Sequence, residues 1–368
     1  MREITLGSRT VGLGHPPLII AEMSGNHNQS LDRALKIVDA AAAAGAHALK
    51  LQTYTADTMT IDMAEGEFFI DDPNSLWKGH SLYELYERAH TPWEWHEPIF
   101  ERCHKHGMIP FSTPFDATAV DFLETLGVPF YKVASFENTD VPLIRKVAAT
   151  GKPIVMSTGM ADVGELALAV GTIRGQDNDQ IVLLKCTSSY PASPEQSNIR
   201  TIPHLRDLFN VQVGLSDHTL GIGVALAATA LGATMIEKHF TLSRAEGGVD
   251  ATFSLEPDEM RMLVTESKRA WQAMGEVHYG RTAKERHSLV FRRSLYVTKD
   301  MKAGETFTSE NLRVIRPGHG LEPKYYDTIV GRRVGCDVQR GTAMSWSLLG
   351  DGTGDINSVA KEAEVEGC

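Results

Sequence analysis

Eight short apolar runs, separated by stretches with helical periodicity, constrain the fold of this chain more than any other feature. They are "LIIAEMSGNH" (18–27), "AHALKLQTY" (46–54), "MIPFSTPFD" (108–116), "FYKVASFEN" (130–138), "PIVMSTGM" (153–160), "IVLLKCTSSYP" (181–191), "VQVGLSDHT" (211–219) and "TMIEKHFTL" (234–242). Between them lie "SLDRALKIVDAAAAAG", "ATAVDFLETLG", "VPLIRKVAATG" and "GIGVALAATALG", each closed by a glycine suited to a helix C-terminus. Strands that alternate with helices run parallel, and eight such units predict an α/β fold closed as a (β/α)8 TIM barrel. A chain of 368 residues also leaves room for a second, smaller domain. The expected boundaries are a barrel at 1–280, a linker at 281–289, a small mostly-β domain at 290–350 and a mobile polar tail at 351–368. Residues 55–107 form a long insertion after the second strand, on the side of a barrel where ligands bind.

Charge and composition narrow the function. The net charge of −11 argues against a general nucleic-acid binder. No run approaches the roughly 18 apolar residues of a membrane span, and the amino terminus lacks the pattern of a signal peptide. Cys103, Cys186, Cys336 and Cys368 are scattered, without metal or disulfide spacing, so a reducing, cytoplasmic setting is expected. There is no Walker A loop, no GxGxxG after a strand and no GxSxG elbow.

Nearly every run turns polar at its carboxyl end. Glu22, Asn26 and His27 end the first; Lys50 and Gln52 the second; Ser112 and Thr113 the third; Lys132 and Ser135 the fourth. Ser157 and Thr158, then Ser188 and Tyr190, then Ser216, Asp217 and His218, and finally Glu237, Lys238 and His239 continue the series. A barrel brings these ends to one mouth, which predicts a polar cavity. Parity puts Glu237 and His239 on one face and Lys238 on the other, and Ser216 with His218 likewise. His218 and His239 on neighbouring strands suit either an open catalytic divalent metal site or a hydrogen-bonded pair without metal. Lys50 and Lys132 inside apolar strands favour an anionic ligand, because an unpaired buried ammonium is costly.

The order of "IAEMSGNH", "LKLQTY", "STPFD", "YKVASFEN", "STGM", "KCTSSYP", "GLSDHT" and "EKHFTLSR" resembles the sialic acid synthase family, which couples phosphoenolpyruvate to an amino sugar. The segment "RRSLYV…DMKAGE…NLRVIRPGHGL" resembles that family's antifreeze-like (SAF, β-clip) domain. "LWKGHSLYELYERAHTPWEWH" and "EGGVDATFSLEP" are most similar to the pseudaminic acid branch, and Ser188 stands where the neuraminic branch commonly has Asn. The resemblance implies phosphoenolpyruvate on Lys50, Thr113, Lys132, Ser135, Ser157 and Ser216, and Mn2+ or Mg2+ on His218 and His239. It implies contacts to the sugar from Gln52, Tyr190 and Asp250, with Phe115 and Ser188 also expected to bind substrate, and it puts Glu22 near the reacting centre. Either Glu22 or Glu237 is a candidate for handling protons. Arg316 resembles the arginine that the small domain lends to a partner's barrel, which implies a domain-swapped homodimer. The runner-up products are N-acetylneuraminic and legionaminic acid, and a metal-dependent barrel hydrolase is a more distant reading.

Overall fold

The computed structural model describes residues 2–73 and 77–350, so the expected tail at 351–368 lies outside the described residues. The chain divides into two compact units, Met1–Gly275 and Glu276–Cys368. The first opens on an antiparallel hairpin that the sequence reading does not anticipate, β1 (Ile4–Leu6) and β2 (Arg9–Val11). Eight parallel strands follow at the expected places: β3 (Leu18–Glu22), β4 (Ala48–Thr53), β5 (Ile109–Pro114) and β6 (Tyr131–Val133). Then come β7 (Ile154–Ser157), β8 (Ile181–Cys186), β9 (Gln212–Ser216) and β10 (Met235–His239). Each pairs with the next, and β10 pairs with β3 to close the barrel.

Strand alternation sorts the side chains into an inner and an outer layer. Leu18, Ile20, Phe111, Val182, Leu184 and Met235 pack inside, together with Ile4, Leu6 and Val11 of the hairpin. This apolar plug fills the lower barrel, so only the carboxyl ends of the strands are left for polar groups. The outer layer, including Ile19, Leu49, Leu51, Val133, Met156 and Ile236, packs under the helices.

Local signals set the helices. In Leu31–Ala44 the Ser30 side chain accepts from the Arg33 amide, and Gly45 ends the helix at φ +88°. Its buried residues Ala34, Ile37, Val38, Ala41 and Ala44 recur at three- and four-residue intervals, which is one helical stripe. The insertion after β4 is shorter than expected. His96–Lys105 is the barrel's own second helix, burying Ile99, Phe100 and Cys103 against the sheet. The added part holds the helices Ala56–Met59 and Leu82–Ala89, the second begun by a reciprocal Ser81/Glu84 capping box.

In the second unit, β11 (Ser294–Val297) pairs antiparallel with β12 (Leu312–Ile315). Leu295, Val297, Phe307, Leu312, Ile329 and Val334 form its own core. Much of the stretch expected as linker is helical instead, within the 3-10 helix Lys284–Phe291. No helix among the described residues is long and apolar enough to cross a membrane.

Candidate active site

Above the apolar plug, the inward positions of the strands become charged. Lys50 of β4 lies 2.8 Å from Glu22 Oε2 on β3 and 3.7 Å from Glu237 Oε1 on β10. Lys132 of β6 reaches the same Glu237 oxygen at 3.8 Å, and its ammonium donates to Ser157 Oγ at 2.7 Å. Lys50 also donates to Thr113 Oγ1 at 3.3 Å, and Ser216 donates to Glu237 Oε1 at 3.1 Å. All these side chains are buried.

The two lysines differ in compensation. Burial opposes the charge of Lys50, but Glu22 and Glu237 overcome it and hold its ammonium above the ordinary range. Burial prevails at Lys132, whose main carboxylate neighbour is Glu237, and pulls it below that range. The glutamates diverge as well. Burial raises Glu22, with Glu237 adding to the effect, whereas at Glu237 the two lysines outweigh burial and keep the carboxylate charged. An anion arriving between Lys132 and Ser157 would complete a cation that has too little opposite charge around it.

Beside the lysines stands a polar wall. Gln52 donates to Glu22 Oε1 at 3.0 Å and to Ser24 Oγ at 3.2 Å. Ser24 in turn donates to Asp250 Oδ2, and Asp250 lies 3.6 Å from His239 Nδ1. The rings of His218 and His239 are 5.4 Å apart, and Tyr190 packs on His218 at 4.5 Å. Burial drives His239 far below the ordinary imidazole range, so it is neutral, and its Nδ1 is buried without a hydrogen-bond partner. His218 Nδ1 donates to the Thr187 carbonyl at 3.0 Å; burial opposes its charge, but Cys186 and that carbonyl outweigh burial and hold the imidazole above its ordinary range. Among the described residues no group of three His, Cys, Asp or Glu forms a metal cluster. The donor set therefore fits a divalent cation only if water or substrate completes its shell.

Ser135 Oγ accepts from the Gly159 amide at 3.1 Å. A Cβ on Gly159 would fall 2.2 Å from Ser188 Oγ and 2.6 Å from Ser135 Oγ, so only glycine fits between the two. Phe115 packs edge-on to Tyr54 with ring centroids 5.2 Å apart, next to the insertion's Tyr86. Arg316, in the second unit, is exposed just past β12.

Not every polar strand end joins this cavity. Lys238 and Asp217 pair at 3.0 Å, and Lys238 also donates to the carbonyls of Thr219 and Gly221. Ser112 bonds Thr53, which bonds His96 of the second barrel helix. Asn26 donates to the Phe240 carbonyl, and His27 packs edge-on to Trp95. Ser112, Asp217 and Lys238 have outward parity, while Asn26 and His27 lie in a 3-10 turn that ends the strand alternation. Two participants escape the sequence reading. Ser24 links Gln52 to Asp250. Glu137, within "SFEN", has a buried carboxylate oxygen without a partner, and burial pushes it up to about 7 against the pull of Lys132. An acidic residue just past a lysine-bearing strand was the available signal.

Residues 37–279 match the NeuB family, and residues 292–350 match the SAF domain. A pseudaminic acid synthase of Campylobacter jejuni is 42% identical over 89% of this chain and 95% of its own length. One from Helicobacter pylori is 41% identical, over 90% of this chain and 97% of its own. The crystal structure of N-acetylneuraminic acid synthetase from Leptospira borgpetersenii, in complex with citrate, superposes with a TM-score of 0.70 at 32% identity. It covers 78% of this chain and 95% of that one. With the family model matched over residues 37–279 and relatives above 40% identical over most of both chains, the chain belongs to the NeuB family.

Proposed function

We propose that this protein condenses phosphoenolpyruvate with 2,4-diacetamido-2,4,6-trideoxy-altrose and water, giving pseudaminic acid and phosphate. The observation that carries this reading is the buried pair Lys50 and Lys132 beside two imidazoles whose rings lie 5.4 Å apart, in a chain resembling pseudaminic acid synthases over nearly its whole length. Lys132, Ser157 and Ser135 hold the phosphate, and Lys50, Thr113 and Ser216 orient the rest of phosphoenolpyruvate. Gln52, Tyr190, Asp250 and Ser188 hold the open-chain sugar, with its aldehyde toward C3 of phosphoenolpyruvate. C3 forms the new bond to the aldehyde carbon, water adds at C2, and the C2–O bond to phosphate breaks. His218 and His239 would hold Mn2+ or Mg2+, which when bound polarises the aldehyde oxygen as a Lewis acid. The buried cavity excludes stray water from the cationic carbon.

Competition between the proposed acceptor and N-acetylmannosamine at equal concentration tests the assignment. N-acetylmannosamine has a hydroxyl at C4 in place of the second acetamido group and a hydroxymethyl at C6 where the other sugar has a methyl. Each mismatched group costs about 1–3 kcal/mol, so the diacetamido sugar is expected to dominate the products by mass spectrometry. Preference for N-acetylmannosamine would assign the protein to neuraminic acid synthesis.

The proposal extends to a cytoplasmic, domain-swapped homodimer in which Arg316 completes the partner's mouth. Phe136, Met160 and Leu220, exposed on the loops after β6, β7 and β9, give the barrel's carboxyl end an apolar rim that fits such a cover. Mixing Arg316→Ala with His239→Ala subunits should recover part of the activity, because one hybrid site contains both residues. Verified heterodimers that stay inactive would exclude action in trans.

A further inference from the structure

We infer that Trp77 and Arg88 of the insertion set the acceptor specificity, by lining a chamber that takes the C4–C6 end of the sugar. This rests on the acceptor reading above. The chamber holds about 610 Å3, and its walls include Gly25, Trp77, His80, Leu85, Arg88 and Val249. Three observations tie it to the site. Gly25 and Val249 adjoin Ser24 and Asp250, which are hydrogen-bonded to each other in the polar wall. The Trp77 indole N–H donates to the Val249 carbonyl at 3.3 Å. The Trp77 ring also faces Tyr190, centroid to centroid 6.3 Å. Trp77 thus borders both the mouth and the chamber, held between the Val249 carbonyl and Tyr190, the latter a proposed contact to the sugar.

The chemistry of the walls matches the part of the acceptor that differs from N-acetylmannosamine. Trp77, Leu85 and Val249 form an apolar stretch of a wall that also carries Asn28, Gln29 and Thr252, and that stretch suits a C6 methyl better than a hydroxyl. Arg88 is exposed, and its guanidinium contacts His80 Nε2 at 3.4 Å, leaving further N–H donors for the carbonyl of a C4 acetamido group. The segment added after β4 supplies Trp77, His80, Leu85 and Arg88 to the chamber, and the turns after β3 and β10 supply the rest.

The test is steady-state kinetics of Trp77→Ala, Trp77→Phe and Arg88→Gln with both sugars. Trp77→Ala and Arg88→Gln are expected to raise KM for the diacetamido sugar about tenfold, with KM for phosphoenolpyruvate within twofold and Trp77→Phe close to the parent. The ratio favouring the diacetamido sugar over N-acetylmannosamine should fall to a similar degree. An unchanged acceptor KM in both variants, with the parent still preferring the diacetamido sugar, would overturn this inference alone. A parent that prefers N-acetylmannosamine would overturn the acceptor reading and this inference together.

Discussion

His239→Ala is expected to lower kcat by at least about a thousandfold, because Lewis-acid stabilisation is worth several kcal/mol and each 1.36 kcal/mol is tenfold. The side chain sits at the end of β10, buried, with its Nδ1 lacking a hydrogen-bond partner. Truncation therefore removes the proposed metal donor without stranding a hydrogen-bonded neighbour, and the fold should survive. Titration of the apoprotein with Mn2+, followed by electron paramagnetic resonance, should show weakened binding in His239→Ala and in His218→Ala. Retention of full activity by either variant after exhaustive chelation would remove both histidines from the metal.

Lys132→Met is expected to abolish turnover of phosphoenolpyruvate and to destabilise the fold by less than the roughly 3–5 kcal/mol of a fully broken buried pair, because Lys50 stays 3.7 Å from the Glu237 carboxylate. Glu237 is the group exposed to that cost, since Lys132 and Lys50 are what keep its buried carboxylate charged. The double variant Lys132→Met/Glu237→Gln should regain much of the stability in urea unfolding but none of the activity. If the single variant unfolds like the parent, the ion pair is not a strong element of the fold. If it still turns over phosphoenolpyruvate at parental KM, Lys132 is not the phosphate ligand.

The barrel was legible because its signals are local and repeated. Ser30 and Gly45 bracket a helix whose apolar stripe has a single period, and β3 to β10 begin within a few residues of their apolar runs. The charged mouth was legible for a related reason. Lys50 and Lys132 interrupt strands that are otherwise apolar, and a closed barrel sends the carboxyl ends of its strands to one place. Parity carried part of the sorting too, separating Lys238 from Glu237 and His239 before any coordinates.

The less legible parts depend on contacts between residues distant in sequence. The β1–β2 hairpin has too few residues to show a period, and its fate as the barrel's plug depends on Leu18, Phe111 and Met235. Ser24 is an ordinary serine until the chain brings Asp250 to it from 226 positions away. Ser112 and Asp217 read as cavity groups when only their place at a strand end is considered. Their outward parity puts both on the helix side, where they meet Thr53 and Lys238. By itself the sequence determined the eight-fold alternation, the helix ends and the chemical types gathered at the mouth, since these follow from neighbours along the chain. Tertiary structure alone decided which carboxylate faces which lysine and how the insertion's Trp77 meets Tyr190 and Val249, because burial and charge compensation arise only when the strands close.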